Sequence, residues 1–494
     1  MANSVNASEA GKARVVVIGG GLAGIAAAVR LAEEHVPVTV VETRKRLGGR
    51  ATSFTDPTTA DVLDNCQHVL MRCCTNLIDL YDRLGVSQHI QWHQTLYFTD
   101  GRGRFDRLEA DGLPAPLHLM RSMMGFRIFS LREKLEIARG MWAIIRTPVG
   151  RRGQLGDESF GDWLHRHHQS QGVIDRYWSP VIVGACNEQP ARVAANYALQ
   201  VFQEGFLQHE QAYEMGLAAV PLVRLYDPAE EILRQRGGTL MLSSSAEALD
   251  YDGGRVRALR LADGRELKAD YFISTVPFDR LAKLCSPMMV AADGRLGHLD
   301  EIEVSPIIGI HMYFRCPGGQ AVMDLPHMVL ADSPLQWVFN KGLERAGSGG
   351  GGEGEEKSGA GAAVQHLHGV ISAAHDLVDQ SADQIASMAV AEVRKALPGA
   401  MGGQLQHVRV VKEKRATFSV RPGIDRLRPG ARGGIGNLFL AGDWCASGWP
   451  ATMEGAVRSG YLAAEAVMRE VDGCEREYLA ADLPVRPLYR LLSR

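Results

Sequence analysis

No two of the eight cysteines form a Cys-x-x-Cys pair, so the commonest zinc-ribbon and dithiol signatures are missing. A chain of 494 residues can also build a core without disulfide staples, and eight reduced thiols are expected. Cys66, His68, Cys73 and Cys74 crowd together, but their spacing matches no zinc pattern, and no metal site is expected. Charge of one sign is lacking too. Fifty-four Lys and Arg stand against 57 Asp and Glu, a net charge of -3, which leaves no basic footprint for nucleic acid. Long hydrophobic runs are absent: the longest uncharged apolar stretch, Val15 to Val29, is shorter than a bilayer requires and is broken by four glycines. Any membrane contact is therefore expected to be peripheral. Residues 1–13 are small and polar with no apolar centre, and are expected to be a loose tail and a cytoplasmic start, not a secretory signal.

What is present is a chain long enough for two or three domains, at about 150 residues each. Arg14 to Ile18 is a β-branched run leading into glycines. Leu22, Ile25, Ala26, Val29 and Leu31 then recur at helical spacing, and Val36 to Val41 is a second apolar run ending at Glu42. This is a β-α-β unit. Thr75 is expected to cap a helix carrying Leu77, Leu80, Tyr81 and Leu84. From residue 113 the character turns helical, with a helix patterned on Leu131, Leu135, Ala138, Trp142 and Ile145. Strands return from residue 238, with Asp263-Gly264 as a hairpin turn, and Ile307 to Phe314 is the clearest later strand. Residues 346–362, with eight glycines, are expected to be a disordered surface insertion. Asp383 to Leu397 reads as an amphipathic helix, Asn437 to Leu440 as a buried strand, and Thr452 to Glu470 as the last long helix.

The fold expected is α/β, with a Rossmann-type domain and an interleaved α+β domain. Cofactor-binding segments are expected at 14–112, 231–290 and 406–472, substrate-domain segments at 113–230 and 291–405, and a tail at 473–494.

Gly19-x-Gly21-x-x-Gly24, with Leu22 and Ala23 opening the helix, places backbone N–H groups and the helix dipole toward a pyrophosphate. Glu42, 18 residues beyond Gly24, can accept from ribose hydroxyls and disfavours a 2′-phosphate. The continuation through Thr43, Arg44, Gly48, Gly49 and Arg50 resembles the Glu-x-Arg-x-x-x-Gly-Gly-Arg stretch of the flavin amine oxidase and carotenoid desaturase superfamily. The resemblance implies FAD. Glycines 48 and 49 then permit close approach, and Arg44 and Arg50 can neutralise phosphates. Read without that context, the stretch could be a solvated basic loop. Downstream, a strand ends at Gly442-Asp443-Trp444, and Met453, Glu454 and Ala456 open a helix. This is similar to the superfamily's carboxy-terminal flavin motif. Asp443 would hydrogen-bond the ribityl chain, the helix N-terminus would face the flavin N1 side, and Met453 and Trp444 would pack against the ring. The resemblance also implies that Ala246 lies near the adenine and that Thr275-Val276-Pro277 passes the cofactor, though the latter could be plain structure. No second Gly-x-Gly-x-x-Gly follows a strand, so electrons are expected from or to an external, unidentified partner.

Asp64-Asn65-Cys66-Gln67-His68-Val69-Leu70 falls where the superfamily lays a loop against the flavin. It resembles two groups, the hydroxysqualene dehydroxylases of hopanoid synthesis and the zeta-carotene desaturases. Leu113 to His118, Trp178-Ser-Pro-Val, Asn187-Glu188, Val220-Pro221-Leu222 and Leu225-Tyr226 incline the resemblance to the dehydroxylases. Cys66 departs from a glycine common in the wider superfamily. The resemblance implies a hydrophobic isoprenoid substrate, reductive removal of an allylic hydroxyl, and a proton donor, with His68 first and Glu188 second as candidates. For each, structural hydrogen bonding is the competing role. A desaturase is the alternative; an amine oxidase is a weaker one, since no aromatic pair for an amine cage is identifiable. A flavin-bearing binding protein without turnover is a third. Methionines and aromatics from 119 to 142 can line an apolar cavity or simply pack a core. Eight Arg and Lys against two Glu between Pro116 and Arg152, 8 - 2 = +6, fit an anionic membrane or solvated helix faces.

Overall fold

A computed structural model describes residues 13–316, 319–345 and 363–494. The expected glycine-rich insertion at 346–362 and nearly all of the expected tail at 1–13 lie outside these residues. Four short apolar strands and one more form a five-stranded sheet, all parallel, in the order Thr239–Met241, Val38–Val41, Val15–Ile18, Tyr271–Ser274, Leu438–Leu440. Its central strand, Val15–Ile18, is buried at every position, as a strand covered on both faces must be. The helix Leu22–Glu33 covers one face, crossed by the long helix Met453–Asp472. That crossing is close. A Cβ on Gly460 would lie 2.3 Å from the Ala23 carbonyl oxygen.

A second sheet of seven strands runs in the order Gln404–Phe418, Val304–Cys316, Ala363–Ser372, Trp337–Arg345, His327–Leu330, Thr95–Thr99, Phe105–Glu109. One face, with Ile308, Ile310, Met312 and Phe314, forms a core with the helix Ala382–Ala396. Strands at 95–109 and 404–418 were expected in cofactor-binding segments. They pair into this sheet instead, because strand partners are chosen by edge hydrogen bonding between distant segments, which local periodicity does not report. The Asp263-Gly264 hairpin forms as expected, between Val256–Leu261 and Glu266–Lys268, with Gly264 at φ +87°.

The helical layer contains Leu131–Arg146, Phe160–Arg166, Ser179–Cys186 and Ala195–Phe202, with one π-helical turn, Ile174–Trp178, leading into the third and another, Gln203–Leu207, continuing the fourth. Ser130 and Glu133 close a capping box at the first of these helices. The helix Thr75–Arg83 is present, but Thr75 does not cap it. Its first N–H groups, on Asn76 and Leu77, donate to the Glu454 carboxylate, 3.2 and 2.7 Å away. A buried carboxylate from a distant helix replaces the local cap.

Candidate active site

The turn after Val15–Ile18 is shaped by what glycine leaves out. Gly19 sits at φ +109°, and a Cβ there would meet Thr275 Oγ1 at 2.7 Å; on Gly24 it would meet the Gly19 carbonyl oxygen at 2.0 Å. Thr275 Oγ1 in turn donates to the Ile18 and Gly19 carbonyls, both at 3.0 Å. The helix that follows starts without a side-chain cap and without an acid in its first turn. Its N–H groups are left for an anion. Gly21 and Gly49 face each other across the same bare stretch of backbone, and the Gly48 N–H donates to the Gly20 carbonyl at 2.9 Å. Glu42 closes the turn: its carboxylate accepts from the N–H groups of Gly20 and Arg44, both at 2.7 Å.

From this cradle a single cavity of about 1120 Å³ extends in two directions. One arm passes Glu42, Thr43, Arg44 and Ala246. The other passes Gly442, Asp443, Met453, Glu454 and Ala456, then opens into an apolar space between the helical layer and the seven-stranded sheet. Small-ligand cavities run to about 1,000 Å³. The space is large enough for a dinucleotide and a long second molecule together.

The sequence-predicted residues Gly19, Gly21, Leu22, Ala23, Gly48, Gly49, Arg50, Gln67 and His68 also line this cavity. Three do not. Gly24 lies behind the turn and permits its tightness. Trp444, 1 % exposed, points away into the core, where its Nε1–H donates to the Val276 carbonyl at 3.1 Å. It anchors the strand ends and does not pack on a ring in the cavity. Glu188 is fully buried outside the cavity, accepting from His375 Nε2 at 3.0 Å and Ser419 Oγ at 2.7 Å and paired with Arg192 at 3.3 Å. Its carboxylate is engaged in structure, and Asn187 reaches the cavity in its place.

Two expected anion-binding arginines have protein partners. Arg50 pairs with Asp443 and donates to the Ala416 carbonyl at 2.9 Å. Arg44 donates to the Gly49 carbonyl at 2.7 Å from an exposed position. The pyrophosphate side of the cradle is thus chiefly backbone.

The loop at 64–68 is held from behind. Asp64 accepts from Ser53 Oγ at 2.8 Å, from the Leu222 N–H at 3.0 Å and from Lys341 Nζ at 3.3 Å. Lys341 also reaches Gln67 Oε1 at 3.2 Å, and His311 Nε2 meets the Asp64 carbonyl at 2.9 Å. A Cβ on Gly309 would lie 2.9 Å from His368 Nε2 and 3.1 Å from the Asn65 carbonyl, so the sheet is bare where the loop and that histidine approach it. His68 Nδ1 lies 3.0 Å from the Cys66 carbonyl, to which it donates, leaving Nε2 as an acceptor on a residue that lines the cavity. Burial holds the His68 imidazole below its ordinary range and pushes the Cys66 thiol up to about 12. Burial also raises the Glu454 carboxyl, against the lowering effect of its N–H donors.

Sequence reasoning missed Lys341 and His311, which hold the loop at Asp64 from far away in the chain. It also passed over Trp449, which lines the cavity together with Cys73 and Cys74.

Residues 22–468 match the family described as flavin containing amine oxidoreductase. The chain is 28% identical over 471 residues to the hydroxysqualene dehydroxylase of Sinorhizobium fredii, covering 93% of this chain and 99% of that one. It is 27% identical over 484 residues to the 15-cis-phytoene desaturase of Synechococcus elongatus, covering 94% and 97%. Among solved structures, a redesigned putrescine oxidase superposes with a TM-score of 0.67 at 16% identity, over 93% of this chain and 99% of that one. An oxidoreductase from Methanosarcina mazei gives 0.66 at 16% identity, over 92% and 100%. The uncapped helix start, the glycine cradle and the two-armed cavity fit FAD, and the chain belongs to the flavin-containing amine oxidoreductases.

Proposed function

We propose that this enzyme reductively dehydroxylates a long isoprenoid alcohol of the hydroxysqualene kind, giving squalene. The observation that carries the reading is the continuity of the cavity, which joins the glycine cradle to an apolar chamber walled by Met123, Phe126, Phe129, Met141 and Phe206. Two hydroxysqualene dehydroxylases at 28% identity over nearly their whole length support it. The reaction exchanges a C–O bond for a C–H bond: the substrate takes up a hydride and a proton and releases water. Bound flavin supplies two-electron hydride chemistry.

The chain's own residues exclude solvent, hold the substrate extended and manage the proton. Apolar walls leave the alcohol oxygen as the polar point of the substrate, so one protein group near it suffices for recognition. We assign proton handling to His68, which lines the cavity and whose Nδ1–H is committed to Cys66, leaving Nε2 for the proton. For dehydroxylation Nε2 must carry a proton when the hydroxyl departs as water.

The neutral resting state of His68 favours a second reading, desaturation of a polyene precursor, in which Nε2 accepts the proton lost from the substrate. The phytoene desaturase relative supports this equally well by identity. Anaerobic incubation of the reduced holoenzyme with hydroxysqualene tests the first reading, with squalene as the expected product. Product from phytoene with an oxidised quinone, and none from hydroxysqualene, would overturn it in favour of the second.

A further inference from the structure

Six carboxylates among the described residues line the cavity, and five are engaged. Glu42 has its two backbone N–H groups, and Asp443 pairs with Arg50. Glu204, Glu454 and Glu247 meet Arg152, Arg458 and Arg260 at 2.9, 3.5 and 3.9 Å. Glu413 is the exception. Among the described residues it has no ion-pair partner, and its one side-chain hydrogen bond, from Asn65 Nδ2, is stretched to 3.5 Å.

The strand Gln404–Phe418 is irregular at this point. Glu413 stands opposite Ile307 and Thr417 opposite Ser305, so Lys414, Arg415 and Ala416 together face the single residue Pro306, which has no N–H for the ladder. A bulge of this kind re-aims side chains. The cations beside Glu413 are drawn elsewhere: Lys412 donates to the Gln380 carbonyl, Lys414 pairs with Asp379 at 2.7 Å, and Arg415 with Asp279 at 3.4 Å. Asn65, which reaches Glu413, also donates to the Arg50 carbonyl, while Ile307 packs on the apolar cluster of the helical layer. Glu413 therefore sits where the cradle meets the apolar chamber.

A carboxylate without a counter-ion beside apolar walls is costly unless positive charge arrives. Isoprenoid redox chemistry brings it. In reductive dehydroxylation the C–O electron pair leaves with the oxygen, which takes up a proton and departs as water. The allylic carbon is positive until hydride from reduced flavin forms the new C–H bond. In desaturation a hydride departs to oxidised flavin, and the carbon is positive until a neighbouring C–H proton is lost. We propose that Glu413 is a catalytic residue whose carboxylate stabilises the positive charge developing on the isoprenoid carbon. A fixed charge in a water-poor site does so without reorganising. The assignment rests on the isoprenoid reading but not on the direction of the reaction.

Binding of a stable cation mimic tests it without turnover. One probe is hydroxysqualene with its hydroxyl replaced by a dimethylamino group, protonated at about pH 7. The other is hydroxysqualene methyl ether, neutral at the same carbon. Each is titrated into the FAD-loaded full chain and followed by the shift in flavin absorbance. The ammonium probe is expected to bind about 10–100-fold more tightly, a preference that Glu413→Gln abolishes and Glu413→Asp largely keeps. On whichever isoprenoid is turned over, Glu413→Gln should lower kcat about 10²-fold and leave KM nearly unchanged, because the charge exists only in the transition state. Equal affinity of the wild-type protein for the two probes, a comparison that needs no variant, would overturn the proposal and leave the isoprenoid reading standing. So would a preference that survives Glu413→Gln. Binding of neither probe would overturn both.

Discussion

Arg50 and Asp443, 393 residues apart in the chain, form an ion pair at the wall of the cavity, joining the Gly48–Gly49 turn to the strand end before the last long helix. Asp443 is 7 % exposed in its side chain, so removing Arg50 strands a nearly buried carboxylate. Arg50→Ala is expected to destabilise the fold by roughly 1–3 kcal/mol, less than a fully buried pair because Arg50 is one-third exposed. Flavin content by absorbance should fall with it. An unchanged melting temperature and full flavin occupancy would remove the pair from any role in assembling the site.

The direction of the pH–rate profile separates the two reactions. A proton-donating His68 makes dehydroxylation rise as pH falls toward its lowered range; a proton-accepting His68 makes desaturation fall over the same interval. His68→Gln should cut turnover about 10²–10⁴-fold in either case and leave the flavin spectrum intact. A tenth or more of wild-type turnover in that variant would end the assignment.

Glu188→Gln is expected to behave differently. The side chain keeps its shape but weakens its bonds to His375, Ser419 and Arg192, outside the cavity. The melting temperature should drop by about 1–2 °C, consistent with about 1–2 kcal/mol. Turnover per folded, flavin-loaded molecule should persist. A selective loss of turnover at unchanged stability would return Glu188 to the chemistry.

At Gly24 even a methyl group is too much. Gly24→Ala sets a Cβ against the Gly19 carbonyl, and the turn must open to relieve it. Flavin retention should collapse, whereas Gly436→Ala, where a Cβ meets nothing within 4 Å, should behave as wild type. Equal flavin occupancy in the two variants would show that the turn's tightness is unimportant.

Acid should loosen the protein before carboxylates begin to protonate. Burial lowers His118 and His311 to about 4 and His366 to about 3, below the ordinary value in an unfolded chain. The unfolded chain therefore binds more protons between about pH 6.5 and 4, and stability falls as pH drops through that window. His311 alone contributes a loss on the order of 2 kcal/mol by pH 5. Melting temperatures measured from pH 7.5 to 5 should fall, and His311→Asn should flatten the slope. An identical slope in that variant would contradict the account.

How far these features could be read in advance depended on distance along the chain. The glycine turn, Glu42, and the residues at 442–456 are legible because backbone geometry forces particular residues at particular offsets. Trp444 was misjudged because neighbours of a motif residue alternate between the cavity and the core, and only the fold shows which way each points. Glu188 enters as a candidate through the resemblance of Asn187-Glu188; besides the local Arg192 its partners are at 375 and 419, which the local sequence does not show. The strands at 95–109 were assigned to the wrong layer for a similar reason, since they pair with residues beyond 327.

The parallel sheet draws its strands from residues 15–41, 239–274 and 438–440, and the helix at 453–472 packs on the first of its helices. During synthesis the flavin-binding layer cannot close until residues 438–472 have emerged. Until then the strand Tyr271–Ser274 keeps an unpaired edge, open to non-native strand addition.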